Sequence, residues 1–461
     1  MTFKTPDVYI QEKSVFPPSV VTADTAVPAF IGYTDKAMDA DGNDLTNVPT
    51  RIRSMHEYES LFGLAEVTEF NVTADSDGNY SVDSPGLNYL MYHSLQLFYA
   101  NGGGDCYIVS TGSNGATTKA TTRSAADIRA GIDTLKAEDG PTLVVPVDAV
   151  GTVSNTADSA KAYADYKSVC DHALAHCAAM QDRFTLLDVY QKQAGSKIKQ
   201  TDDVNFRTGA VGTNNLSYGA AYYPYLNTNL RYRYSDSSVN VSGAGLSGTL
   251  DAQTSDQYNN ISAVLSRQTV TLPPSAGIAG VISGIDHSIG SWKAPANVSL
   301  NAVSGPAVKI SSNDQAGLNV DVSGKSINAV RSFNGKGTLV WGARTLEGNS
   351  NEWRYIPVRR LFLQMESDIK RSTSYAVFEP NTATTWSRLR TQVQSYLTQL
   401  WQDGGLAGAT EDEAFFIRVG LGETMDEQDI LEGRLNITVG AAAVRPAEFV
   451  VFTFTHKLQE S

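Results

Sequence analysis

The sequence has few cysteines and no long apolar run, and each absence excludes a class of protein. Only 3 of its 461 residues are cysteines, too few for the disulfide framework of a small secreted domain. No stretch approaches the roughly 20 apolar residues that a membrane-spanning helix needs, and the first residues, "MTFKTPDVYIQEK", contain no apolar signal core. We therefore expect a chain that is made in the cytoplasm without a signal peptide and does not insert directly into a membrane.

An excess of positive charge is also missing. The chain has 36 Lys and Arg against 49 Asp and Glu, which gives a formal net charge of −13. This balance argues against a non-specific grip on nucleic acid or on an anionic membrane surface. The remaining composition is typical of a globular protein, and the length exceeds what one compact core usually holds. We expect more than one domain and no nucleic-acid partner.

Signatures of catalysis and nucleotide binding are absent too. There is no GxSxG elbow and no HExxH motif. Gly324-Lys325-Ser326 resembles the end of a phosphate-binding loop, but the position that needs an earlier glycine holds Asn319. The sequence therefore indicates no catalytic residue and no cofactor-binding residue.

The string "CDHALAHC" concentrates four possible metal ligands in eight residues. On a helix, about 100° per residue places Cys170 and Cys177 on one face and His172 and His176 on roughly the opposite face. One helix cannot fold both pairs around a single ion. We predict core cysteines, solvated histidines and no metal ligands.

What the sequence does contain is an alternation of strands and helices. The strand-like stretches "DCYIVST", "TLVVPVD" and "RFTLLDV" are separated by helical patterns near 124–137 and 157–180. Such alternation predicts a parallel sheet covered on both faces. Later, "TATTWSRLRTQVQSYLTQLWQ" has helical periodicity with an apolar stripe formed by Trp386, Leu389, Val393, Leu397 and Leu400.

Both ends of the chain have the composition of extended strands. In the final "VRPAEFVVFTFTHKLQES", Val450, Phe452 and Phe454 fall on one face and Val451 on the other. Near the start, "VYIQ" alternates in the same way within a proline-interrupted segment. A terminal strand presents unpaired backbone groups, so we expect it to pair with something.

Several strings resemble the contractile tail sheath family of phages, contractile injection systems and R-type pyocins. In chain order they are "TPDVYIQEKSVFPPSVVTADTAVPAFIGYT", "LPPSAGIAGVISGIDHSIGSWKAPAN", "GTLVWGARTL", "YIPVRRLFLQMESDI", "VFEPN" and "LNITVGAAAVRPAEFVV". The similarity extends from residue 5 to about 455. It is weakest over 35–50, 64–85, 112–124 and 226–262, which we interpret as surface-exposed variable regions.

The resemblance implies a fold. We expect an N-terminal extended arm over 1–34 and a subtilisin-like α/β core without protease chemistry over 35–350. The core would carry a surface insertion at about 226–262. An α+β C-terminal domain over 351–461 would end in a β-strand arm.

The resemblance also implies a function, namely a structural sheath subunit that is not an enzyme. Such subunits polymerise as stacked hexameric rings around an inner tube and contract to drive the tube through a target cell envelope. The expected partners are neighbouring sheath subunits, the inner tube protein, and baseplate and terminal cap proteins.

The family's arms add strands to neighbours' sheets. In this chain the corresponding residues are Val8, Tyr9, Ile10, Phe449, Val450, Val451, Phe452 and Phe454. For tube contact we consider Arg388 and Arg390, which lie off the apolar stripe of their helix, with ordinary solvated arginines as the equal alternative.

Two alternatives stay open at this level. The subunit belongs either to an injection system, which the compact length favours, or to the tail of a phage virion. In either case it is synthesised in the bacterial cytoplasm and becomes part of an assembled particle. A hydrolase on a subtilisin-like core is the more distant alternative.

Overall fold

The computed structural model describes residues 24–83, 85–113, 123–154, 159–191 and 202–449. These residues form two compact units. The core unit comprises Asp24–Gln364 together with 445–449, and the C-terminal unit comprises Met365–Val444.

The described part of the core unit contains sixteen strands. They are β1 (Pro28–Thr34), β2 (Thr50–Ile52), β3 (Phe70–Ala74), β4 (Tyr80–Val82), β5 (Cys106–Ser113), β6 (Leu143–Pro146), β7 (Phe184–Asp188), β8 (Gly219–Tyr223), β9 (Leu226–Arg231), β10 (Val239–Gly243), β11 (Leu246–Thr249), β12 (Thr269–Leu272), β13 (Val298–Ser299), β14 (Val303–Pro306), β15 (Ile327–Phe333) and β16 (Gly337–Trp341).

Helices occupy much of the remaining core-unit chain. They are α1 (Met55–Phe62), α2 (Met91–Ala100), α3 (Ala125–Thr134), α4 (Ser159–Met180), α5 (Asp202–Asn205), α6 (Ser255–Leu265), α7 (Ser275–Ser288), α8 (Ser312–Asn319) and α9 (Ile356–Thr373), the last of which continues into the C-terminal unit.

A nine-stranded sheet organises the core unit, in the order β13-β16-β15-β8-β7-β6-β1-β5-β2. The neighbours from β15 to β5 are all parallel. Helices α2 and α7 pack on each other and contact β1 and β7, and so do α3 and α4. Because two separate helix pairs cover the same strands, they lie on opposite faces of the sheet. The predicted α/β layers are therefore present.

The strand β1 shortens the predicted N-terminal arm. Pro28–Thr34, which the sequence analysis assigned to the arm, is buried along its whole length between β5 and β6. The prolines before it suggested an extended segment, but Pro28 stands at the first position of the strand, where a missing N–H is tolerated. Pro28–Thr34 therefore belongs to the core sheet and not to the arm predicted over 1–34.

The predicted surface insertion is also more regular than its composition indicated. Within 226–262, β9 pairs with β12 and β14, so it belongs to a three-stranded sheet. The strands β10 and β11 join β3 and β4 in a four-stranded sheet. That sheet has its own apolar core of Phe70, Val72, Val239, Val241, Leu250, Ile261 and Leu265. Two of the segments predicted to be variable, 64–85 and 226–262, therefore fold together.

The C-terminal unit contains α10 (Ala383–Gln402), α11 (Glu411–Ala414), β17 (Phe415–Arg418), α12 (Glu427–Leu431) and β18 (Thr438–Ala441). The apolar stripe predicted for α10 is confirmed at Leu389, Val393, Leu397 and Leu400, which are all buried. The C-terminal unit begins at Met365 and 445–449 belong to the core unit, whereas the boundary predicted from the sequence is at 351.

The close packing of α2 against α7 depends on glycine at one position. A Cβ at Gly280 would lie 2.4 Å from the Phe98 carbonyl oxygen, whereas a Cβ at Gly284, one turn later, would be 3.8 Å from its nearest neighbour. We predict that Gly280→Ala lowers the free energy of unfolding by about 1–3 kcal/mol, because the helices must move apart.

Gly284→Ala is the matched control, since alanine adds helix propensity worth up to about 1 kcal/mol and meets no clash. Urea unfolding of both variants measures the difference. Equal effects of the two substitutions would mean that helix contact at Gly280 does not limit the packing.

Candidate assembly site

The strands β17 and β18 form a two-stranded antiparallel sheet in the C-terminal unit. The register pairs Phe415 with Ala441 and Arg418 with Thr438. In the described part of the chain, no third strand pairs with either of them. Each strand therefore presents one open edge, the kind of edge that an added strand can extend.

The hydrogen-bond pattern shows which groups face the open edge of β17. The Ala442 N–H donates to the Ala414 carbonyl at 2.8 Å. Bonded pairs alternate along an antiparallel ladder, so Phe416 and Arg418 bond to β18. The N–H and C=O of Ile417 consequently point away from β18. The Ile417 carbonyl already accepts a hydrogen bond from Arg390 at 3.4 Å, so the Ile417 N–H is the group offered to a further strand.

The exposed face of this small sheet is partly apolar. Phe416 is 48% exposed, and its ring covers Gly440 on the opposite strand, where a Cβ would lie 2.2 Å from the ring. Phe415, which points to the other face, is buried, and β17 contacts α10. One face thus anchors the sheet in its unit while the other stays accessible.

The two arginines considered for tube contact lie on α10 and are both exposed. Arg390 Nη2 is 3.3 Å from Glu423 Oε2 and 3.4 Å from the Ile417 carbonyl oxygen. It therefore lies against the open edge of β17, where a charged side chain discourages unspecific pairing. The Arg388 guanidinium is 5.6 Å from the centre of the Tyr375 ring. Contact of either residue with a tube stays a prediction.

The predicted arm residues lie almost entirely outside the described residues. Phe449 is described, and 73% of it is exposed. The other seven are Val8, Tyr9, Ile10, Val450, Val451, Phe452 and Phe454. Strand addition by the arms accordingly stays a prediction.

Two buried aspartates at the carboxyl ends of core strands have strongly raised pKa values. Burial raises the pKa of Asp148 to about 6 and that of Asp188 to about 7. Perturbed carboxylates at this edge of a parallel sheet can mark an active site. Here Asp188 accepts hydrogen bonds from the N–H and hydroxyl of Ser275, the first residue of α7. Asp148 accepts from the N–H of Leu90, directly before α2. Both carboxylates serve to hold helix starts.

The string "CDHALAHC" lies on α4, and one of its two histidines differs from the prediction. Cys170 and Cys177 are buried, as predicted. His172 is partly exposed and pairs with Asp133 at 2.9 Å. The prediction of a solvated His176 is wrong, because it is only 3% exposed. Its Nε2 lies 3.3 Å from Nη1 of the buried Arg183.

Arg183 explains why His176 is covered. Its guanidinium donates to the Leu135 and Glu138 carbonyls that follow α3, so it fills the space beside the histidine. Burial, followed by the charge of Arg183, lowers the pKa of His176 to about 4. Arg183 lies outside α4, so the helical pattern alone could not reveal this contact.

The remaining candidate for ligand binding, Lys325, is part of the protein interior. Its Nζ donates to the Arg207 and Val211 carbonyls and so satisfies backbone acceptors. Among the described residues, no group of three His, Cys, Asp or Glu side chains could hold a metal ion. In the same part of the chain, none of the helices combines the length and apolarity needed to cross a bilayer.

Sequence reasoning missed the β17–β18 sheet as the place where strands could be added. The signal was present as short alternating stretches, "FFIR" and "NITVG". Each stretch is four or five residues long, which is too short to be separated from loop by periodicity.

Comparison with known proteins agrees with this structural picture. Residues 349–457 match the phage tail sheath C-terminal domain family. The tail sheath protein of Enterobacteria phage T4 is 28% identical over 166 residues, which is 36% of this chain and 24% of that protein. The chain thus spans about a quarter of the length of this curated relative.

Two solved structures match over the full length. The anti-feeding prophage helical sheath in its contracted state is 32% identical, with a TM-score of 0.64, and the match covers 99% of this chain and 100% of that chain. The sheath complex of an extracellular contractile injection system, PVC, in its contracted state is 28% identical, with a TM-score of 0.65 and 99% coverage of both chains. The chain therefore belongs to the contractile sheath family, as a structural subunit of a contractile injection system or phage tail-like particle and not as an enzyme.

Proposed function

We propose that this subunit assembles into stacked hexameric rings around an inner tube by exchanging strands between subunits. The sheath would then contract and drive the tube through a target cell envelope. The observation that carries the proposal is the two-stranded β17–β18 sheet, whose two outer edges are unpaired among the described residues. The strand-like ends of the chain supply segments of matching composition.

The energetics favour such an exchange. Each added strand contributes several backbone hydrogen bonds at a net value of ~0.5–1.5 kcal/mol each. Burial of Phe452 and Phe454 adds ~1.5–3 kcal/mol apiece. Repeated at every junction, these contacts link the rings into a continuous mesh that can change shape without separating. A contact that does not close on itself builds a helical filament.

The injection system is the favoured setting. The chain covers all of the anti-feeding prophage sheath chain but only 24% of the phage T4 sheath protein. The more complete match supports the injection system. The tail of a phage virion is the second candidate, favoured by the match to phage T4 itself.

The proposal includes the source of energy and the remaining partners. Contraction would draw on a free-energy difference between two packings of the subunits, fixed when the sheath assembles. A baseplate would trigger the change and a terminal cap would end the sheath. Arg388 and Arg390 are the residues proposed to contact the inner tube, since both are exposed on α10.

Removal of the C-terminal arm tests the donor side of the exchange. Stopping the chain after Phe449 should leave a folded subunit that does not build a sheath, because the lost strand belongs to a neighbour's sheet. Circular dichroism melting measures the fold, and electron microscopy measures assembly.

Normal sheaths from the truncated chain would contradict the proposal, and so would a large fall in its melting temperature. In either case the last residues would be part of their own subunit's fold.

A proline in β17 tests the acceptor side. Ile417→Pro removes an N–H that faces the open edge, so the pairing of β17 with β18 should survive while a third strand loses a hydrogen bond at that edge. We expect a subunit with near-normal melting and greatly reduced assembly, measured by sedimentation of sheaths.

Ile417→Val is the matched control, because it keeps the N–H and the branched side chain. Val439→Pro applies the same change to the open edge of β18. If both proline variants fold and assemble as the unmodified chain does, neither edge accepts a strand and the proposed acceptor is wrong.

A further inference from the structure

The carboxylate of Glu448, one residue before the exposed Phe449, is bound by three side chains of the core unit. Arg344 approaches it through Nε at 3.0 Å from Oε1 and Nη2 at 2.6 Å from Oε2. The amide of Asn319 donates to Oε1 at 2.7 Å, and the hydroxyl of Tyr355 donates to Oε2 at 3.2 Å. Paired donation by a guanidinium fixes direction as well as distance.

The ion pair between Arg344 and Glu448 is largely buried, unlike an ordinary surface ion pair. The side chain of Arg344 is 5% exposed and that of Glu448 is 22% exposed. Arg344 is itself held, because its Nη1 donates to the Asn319 carbonyl and its backbone N–H donates to Asn328. Burial raises the pKa of Glu448, but hydrogen bonds from Arg344 and Asn319 outweigh that effect and lower it overall.

The residues next to Glu448 in the chain are mostly exposed to solvent. Arg445, Ala447 and Phe449 are all exposed. Glu448 therefore holds a largely exposed segment, 445–449, at the point where the proposed arm begins.

The other end of the chain is fastened in a similar way. Arg360 donates through Nη2 to the Thr25 carbonyl at 2.8 Å and through Nη1 to Asp286 at 3.0 Å. The side chains of Arg360 and Asp286 are 4% and 3% exposed. The Thr142 hydroxyl donates to the same carbonyl of Thr25 at 3.0 Å. A buried arginine of the core unit thus holds the root of each proposed arm.

We propose that Arg344 and Glu448 form an anchor that sets where the C-terminal arm leaves the core unit and transmits tension from the arm into the core sheet. The inference rests on the proposed exchange of strands. Arg344 and Glu448 act here as positioning residues, and Arg360 has the corresponding role at Thr25. Asn328, which holds the backbone of Arg344, lies in β15, so the load reaches the nine-stranded sheet directly.

The geometry of a strand explains why a fixed root matters. A strand advances ~3.3 Å per residue, and a slip by one residue reverses which face each side chain occupies. Releasing 445–449 would give the arm up to roughly 3.3–3.6 Å of slack for each freed residue. That slack exceeds one register step, so an unanchored arm could pair in several registers and would bear load unevenly.

The test uses Glu448→Gln, which keeps the shape of the side chain and removes its charge, and Tyr355→Phe, which removes one hydrogen bond. The exposed Glu352→Gln, in the same unit, is the matched control for the loss of one negative charge. Subunit melting measures the fold. Sheaths are then exposed to increasing shear and urea, and electron microscopy records intact length and the spread of the axial repeat.

We expect Glu448→Gln subunits to melt within a few degrees of the unmodified chain and their sheaths to break under shear that leaves unmodified sheaths whole. Their axial repeat should be less uniform, Tyr355→Phe should show a smaller effect, and Glu352→Gln none. Failure of Glu448→Gln to assemble, with its fold intact, would support the anchor equally.

Sheaths of Glu448→Gln that are as strong and regular as unmodified ones would overturn the anchor. A large fall in subunit melting for both Glu448→Gln and Tyr355→Phe would do the same, since the contact would then stabilise the fold. Neither result affects the proposed exchange of strands, which fails separately if the chain that stops after Phe449 builds normal sheaths.

Discussion

The unpaired edge of a β-strand is the constraint on which this structure depends. Backbone N–H and C=O groups need partners, and a two-stranded sheet leaves half of its groups without one. In the C-terminal unit, Ile417 turns both of its groups to such an edge, and Arg390 lies beside it. The proposed exchange would meet this requirement through neighbouring subunits, so that assembly would follow from the secondary structure.

In contrast to the open-edged sheet of the C-terminal unit, the core unit is built for rigidity. Its parallel strands are covered on both faces, and buried aspartates hold the starts of α2 and α7. A large-scale rearrangement needs bodies that keep their shape while the contacts between them change. Fastening both proposed arms to this unit, through Arg344 and Arg360, would let the arms pull on a closely packed body.

How far the sequence could predict the structure depended on whether the deciding contacts were local. The alternation of strands and helices over 105–189 and the stripe of α10 were predicted, because burial imposes a period that a short window reveals. The burial of His176 was not predicted, because it depends on a contact with Arg183, which follows α4 in the chain and lies outside the helix. The joint fold of 64–85 and 226–262 depends on β3 pairing with β10, far apart in the chain.

For the candidate assembly site, too, local patterns were predicted and contacts between distant residues were not. Terminal alternation indicated arms, but β17 and β18, the strands proposed as acceptors, are too short for their pattern to be decisive. The partner of Glu448, Arg344, is 104 residues away in the sequence. It stands in the string "GTLVWGARTL", which carried the family resemblance, but the resemblance did not reveal its contact.

A main-chain tracing of the assembled sheath by electron cryomicroscopy tests the central claim most directly. The account predicts that residues 450–457 of one subunit form a strand beside β17 or β18 of another subunit. It also predicts that Glu448 stays bound to Arg344 of its own chain. Terminal residues folded onto their own subunit, with both edges of the β17–β18 sheet unpaired in the sheath, would contradict it.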